Sequence, residues 1–185
     1  EAPEACSRFV GRAIHDIDMH AITPDWMQEK LSRSGLRSIN PDVDITNLVM
    51  LEMGQPMHAY DFDKLSGGIV VRMAEDRERL KLLDGSTITL SPENLVIADH
   101  EKAVGLAGIM GGDNTAISDH TQNIFFEAAF FATTGIIGKA RKIGMHTDAS
   151  HRFERGLIPN GQLAAVERAT ALLREIAGGE PGKIC

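Results

Sequence analysis

Residues Ile124–Phe131 read IFFEAAFF, an apolar run broken once, by the carboxylate of Glu127. A short run of this length is the strongest strand candidate in the chain. It also sets an electrostatic condition. An ionised carboxylate among phenylalanines has to find a partner or shift its pKa, because taking a bare charge out of water is costly. The alternative is an edge strand with Glu127 turned outward, and the residues alone leave both open.

The segments around this run supply a context. Upstream, Ile69–Met73, Leu80–Leu83, Ile88–Leu90, Leu95–Asp99 and Val104–Ala107 are short apolar stretches separated by turn residues. Asp84–Gly85 signals a hairpin, since a tight primed turn needs positive φ at its centre. Phe9–Asp18 alternates partly, as a half-buried strand does. Thr23–Pro24 predicts a helix start with a capping hydroxyl, closed by Gly35, and Asn40–Pro41 predicts a second start closed by Gly54. Val43, Leu48, Leu51 and Met53 can share the buried face of that second helix. Beyond the apolar run, helical patterning covers Thr134–Met145, Ser150–Gly156 and Asn160–Ala177, with Asn160 as cap of the last and Gly178–Gly179 as its stop. The expected fold class is α+β: a strand-rich central mixed sheet core flanked by N-terminal and C-terminal helices. One domain over 1–185 is expected, with helical elements over 23–54, the strand-rich core over 68–131 and a helical part over 133–178.

Composition narrows the function. At 185 residues with 43% hydrophobic side chains, the chain can bury a real core. No apolar stretch approaches the roughly 18 residues of a membrane span. The two cysteines, Cys6 and Cys185, cannot make a CxxC half-site and are too few for a disulfide scaffold, which suits a reduced, cytoplasmic setting. A net charge of −7 argues against gripping nucleic acid by bulk electrostatics. The opening EAPEACSR lacks a signal pattern and an initiator Met, as in a segment of something larger. Familiar catalytic signatures fail too. His100–Glu101 starts HExxH, but position 104 is Val; GLAGIMGG (Gly105–Gly112) fits neither GxGxxG nor the Walker pattern; GxSxG is absent. No metal site is signalled.

Four local oddities remain. GQPMHAYD (Gly54–Asp61) sets His58 just after a proline turn, where it reads as a hydrogen-bonded turn histidine or as a catalyst. GIMGGD (Gly108–Asp113) lets backbone approach a ligand, or simply turns a sheet. Glu127 sits in its apolar strand. HTDASHRFERG (His146–Gly156) gathers polar groups at a helix junction, where Asp148 and Ser150 most simply cap the helix.

Taken in order, GQPMHAYDFDKL, LLDG, LVIAD, GLAGIMGG, FEAAFF and HTDASHRFERG closely resemble the editing module of the bacterial phenylalanyl-tRNA synthetase beta subunit, from about Cys6 to Pro181. The resemblance implies hydrolysis of tyrosine wrongly attached to tRNA(Phe). A pocket shaped for phenylalanine rejects an added hydroxyl only about 100-fold in comparable cases, so a second site that requires the hydroxyl is needed. It also implies roles residue by residue. His58 and Asn47 (in DITNLV) match editing-site residues that would orient water and ester. Glu127 matches the specificity glutamate, accepting the substrate phenol. Gly111, Thr147 and Ala149 match substrate-pocket residues, and Arg37 (in GLRSIN) resembles an arginine that could meet the terminal adenosine or phosphate. The family more often has Phe where this chain has Tyr60, and His151 beside Arg152 is a second mild departure. The partners implied are the tRNA(Phe) 3′ end carrying tyrosine, the remainder of the beta subunit and the alpha subunit, with no membrane, no metal and no cofactor in this domain. Two other readings stand beside it: a tRNA-docking or structural module without hydrolysis, and a binder of small aromatic metabolites.

Overall fold

A computed structural model describes residues 1–185. The chain is α+β and divides into two compact units. One comprises residues 1–8, 64–116 and 130–157; the other comprises residues 9–63, 117–129 and 158–185.

In chain order the elements begin with strand β1 (Cys6–Ile17), helices α1 (Asp25–Arg33) and α2 (Pro41–Met53), and strand β2 (Met57–Asp61). Six short strands follow: β3 (Val70–Met73), β4 (Arg79–Lys81), β5 (Thr87–Thr89), β6 (Leu95–Ala98), β7 (Ala103–Leu106) and β8 (Met110–Gly111). Then come β9 (Ile124–Phe131), helices α3 (Thr133–Ile136), α4 (Lys139–Lys142), α5 (Asp148–Phe153) and α6 (Gln162–Ala177), and strand β10 (Gly178–Ile184). No helix is long and apolar enough to cross a membrane.

The unit that holds the apolar run is a sheet in the order β10-β1-β9-β2, with helices on one face. Its core joins Val10, Ile14, Phe126 and Ala128 of the strands to Leu31 of α1, Ile45, Leu48 and Val49 of α2, and Val166, Ala169 and Leu173 of α6. Helix α2 forms as expected: Asn40 accepts from the Val43 amide, Pro41 fits the first turn, and Gly54 closes it with φ +70°. The buried stripe of α2 differs from expectation. Ile45, Leu48, Val49 and Met50 are buried, whereas Val43, Leu51 and Met53 are only half-buried. Thr23 does not cap α1; its hydroxyl donates to the buried Asp44 carboxylate at 2.6 Å, which also accepts from Ser38 and the Ile39 amide. Asp44 therefore anchors both helix entries, and α1 starts after Pro24 with no side-chain cap.

The other unit pairs β3-β6-β7-β8 in one sheet and β4 with β5 in a hairpin turned at Gly85, φ +84°. The helical pattern expected over Thr134–Met145 is two short helices, because Gly138 adopts φ +72° between them. Thr147, rather than Asp148 or Ser150, caps α5: it accepts from the Ser150 amide while the Ser150 hydroxyl accepts from the Thr147 amide. Asn160 likewise leaves the capping position of α6 to Gly161. Gly178–Gly179 end that helix but start β10, a strand the glycine-rich GGEPGKI pattern conceals. Pro181 fits there because β10 lies at the sheet edge.

Candidate functional site

The antiparallel register of β2 on β9 builds the site. Met57 faces Ala128, His58 faces Glu127, Ala59 faces Phe126, Tyr60 faces Phe125 and Asp61 faces Ile124. Strand side chains alternate between faces. Ala59, Ile124, Phe126 and Ala128 turn toward the helices and join their core. His58, Tyr60, Phe125 and Glu127 therefore share the opposite face. The alternation that buries one set of side chains delivers three polar ones to the other side.

Glu127 is 7% exposed, on an interior strand rather than an edge. It has a partner: the Tyr60 hydroxyl donates a short hydrogen bond to Glu127 Oε2. Burial drives the Glu127 pKa up to about 7, and the Tyr60 bond opposes that rise by stabilising the charged form. The Tyr60 phenol is pushed well above its ordinary range by burial and by the neighbouring carboxylate, so it keeps its proton and is the donor. The His58 ring stands edge-on to the Tyr60 ring, centroids 4.5 Å apart. Desolvation lowers the His58 pKa to about 4, so the imidazole is neutral at neutral pH although part of its surface is accessible. Phe125 lies beside Tyr60, and its ring is seated over Gly11 of β1, where any Cβ would stand 2.1 Å from Phe125 Cζ.

His58, Tyr60 and Glu127 are thus one cluster. Asn47 sits half-buried in the middle of α2, which packs against β2, but no hydrogen bond ties it to His58. Arg37 is exposed on the α1–α2 connection and lines an open groove of about 690 Å³ with Gln28, Ser32 and Ser38, apart from the cluster. Gly111, Thr147 and Ala149 belong to the other unit. There Gly111 is buried in β8 opposite Gly105, its carbonyl accepting from the Leu83 amide. The Thr147 hydroxyl donates to the Ile109 carbonyl at 3.0 Å, fastening the start of α5 to the glycine-rich segment before β8. Ala149 lies half-buried in the first turn of α5.

Tyr60 is the residue that sequence reasoning left out. Its signal was present: two residues after His58 on a strand, it had to share a face with that histidine. The register that sets Glu127 across from them was not readable from the order of residues. No cluster of three or more His, Cys, Asp or Glu side chains is suited to a metal ion.

Residues 5–178 match the B3/4 domain family. The phenylalanine–tRNA ligase beta subunit of Hahella chejuensis is 58% identical over 184 residues, that of Methylococcus capsulatus 59% and that of Yersinia pestis 53%. Each alignment takes in 100% of this chain and 23% of the relative, so the chain spans about a quarter of those proteins. Among solved structures, an N-terminal fragment of the phenylalanyl-tRNA synthetase beta subunit from Pyrococcus horikoshii aligns with a TM-score of 0.62 at 14% identity, over 97% of this chain and 48% of that one. At that identity the likeness is one of fold.

Proposed function

The chain belongs to the B3/4 domain family, as a segment of the phenylalanine–tRNA ligase beta subunit kind, and from that premise we propose that it is an editing hydrolase for tyrosyl-tRNA(Phe). The observation that carries this reading is the buried Glu127 facing His58 across one strand pair. A carboxylate in an apolar wall accepts a hydrogen bond from a para-hydroxyl and offers nothing to a bare phenyl ring. When phenylalanine enters, the Glu127 oxygen that Tyr60 does not occupy stays unpaired, at a cost of about 1–3 kcal/mol, more when it is charged.

The reaction needs modest help. An aminoacyl ester is activated by its α-ammonium group, and a positioned water suffices without a covalent intermediate. The water adds to the ester carbonyl, the ester C–O bond breaks, and the ribose oxygen leaves with a proton. In this proposal His58 receives a hydrogen bond from that water. An imidazole whose pKa is lowered to about 4 is neutral and accepting at pH 7, but a weak proton abstractor. Orientation then supplies most of the rate. Asn47 would hold the ester or ribose hydroxyls from α2, and Arg37 the terminal adenosine or phosphate. Gly111, Thr147 and Ala149 keep the substrate-contacting parts that the resemblance gives them. The cytoplasm, the rest of the beta subunit and the alpha subunit are the proposed setting and partners, with no metal and no cofactor.

The test is deacylation of tyrosyl- and phenylalanyl-tRNA(Phe) by the wild-type chain and by His58→Ala and Asn47→Ala. Wild-type rates in both variants would defeat the assignment. One observation favours the rival, a docking module without hydrolysis: Glu127 is already bonded to a phenol of its own chain. Binding of aminoacyl-tRNA without cleavage would support that rival.

A further inference from the structure

Glu127 already makes, within the chain, the contact proposed for its substrate. The Tyr60 phenol, 1% exposed, donates to Oε2 and leaves Oε1 as the second acceptor. Tyr60 cannot move away cheaply. The His58 ring abuts its ring edge-on, and Phe125, seated over Gly11, lies along its side. From β2 the carboxylate faces His58 and lies beside Tyr60, and burial and the Tyr60 bond, with no neighbouring charge, set its proton affinity.

Resting on the editing reading above, we propose that Tyr60 is a specificity-positioning residue: its phenol fixes one oxygen of Glu127, favours the charged form of the acid, and aims the other oxygen to accept a second phenol, that of the substrate. A free carboxylate in an apolar wall has two ways to fail as a sieve. It can take up a proton and become a donor, or it can rotate its oxygens away. A hydrogen bond from a group that stays protonated opposes both, since it stabilises the charged form and removes the rotation. A Phe at this position would leave the acid without that support, so this chain's sieve should work at lower pH than it would with Phe.

The experiment compares wild type, Tyr60→Phe and Glu127→Gln in the full 185-residue chain. A ¹³C-carboxyl NMR titration follows Glu127, and hydrolysis of both esters is measured from about pH 6 to pH 8.5. In Tyr60→Phe the Glu127 midpoint moves up. The tyrosyl-to-phenylalanyl rate ratio at about pH 6 then falls about tenfold per unit of that movement and recovers at alkaline pH. In Glu127→Gln the ratio is low at every pH, and adding Tyr60→Phe changes it no further. A Tyr60→Phe protein whose titration midpoint and pH profile match wild type overturns the role of Tyr60 while leaving the editing reading intact. A wild-type protein that hydrolyses both esters alike overturns the editing reading itself, whatever the titration shows.

Discussion

Desolvation gives Glu127 and His58 opposite acid–base tendencies, and their pH signatures differ in sign. The Glu127 pKa is raised from 4.5 to about 7, so the folded chain holds a proton that the unfolded chain has lost between those values. Stability from this group is full below pH 4.5 and is lost as pH rises through 7, by roughly 3 kcal/mol in all. The His58 pKa is lowered from 6.5 to about 4, so in that window the unfolded chain binds the extra proton and stability rises with pH. Glu127→Gln should therefore remove a decline: between pH 4.5 and 7 the variant gains stability relative to wild type, read from urea midpoints at each pH. A difference that does not change across the window would show that Glu127 does not titrate there. His58→Ala acts on rate instead, lowering deacylation of both esters by about tenfold or more through lost water orientation.

Elements decide whether these residues meet at all. Gly11 leaves the space over which the Phe125 ring lies, and Phe125 in turn flanks Tyr60. Gly11→Ala forces that ring aside and should lower stability by about 1–3 kcal/mol, with a changed Tyr60 environment visible by aromatic NMR; an unchanged melting point and spectrum would show that the ring has room. Thr147→Val removes both the α5 cap and the bond to Ile109, at a cost of about 1–2 kcal/mol. These elements were unevenly legible. Ile124–Phe131 was read with its bounds, since seven apolar residues in a row of eight admit little else. The Asn40–Pro41 start of α2 was equally plain, because a side-chain acceptor and a fixed φ act locally. Thr23 misled for a non-local reason: a hydroxyl that looks like a cap was taken by Asp44, 21 residues away. Strand β10 was hidden because pairing with β1, not propensity, makes GGEPGKI extended. In the site, the His58–Tyr60 alternation could be read, but the register opposite Glu127 is set by the packing of two distant segments.

On the scale of the whole chain, charge limits what it does alone. Of the local basic residues Lys139, Arg141, Lys142, Arg152 and Arg155, Lys139 and Lys142 are paired with Glu93, Arg152 is paired with Asp148, Arg155 donates to the His151 carbonyl of α5, and Arg141 is exposed. With a net charge of −7, affinity for tRNA should be weak and should rise markedly when the chain is part of a whole ligase, as filter binding at one salt concentration would show. Equal affinity for the chain and the ligase would mean that its own surface suffices. Above all other tests stands the ratio of tyrosyl- to phenylalanyl-tRNA(Phe) hydrolysis, measured side by side for wild type and Glu127→Ala. The account predicts a wild type that strongly favours the tyrosyl ester and a variant that loses most of that preference; the same ratio in both proteins would contradict it.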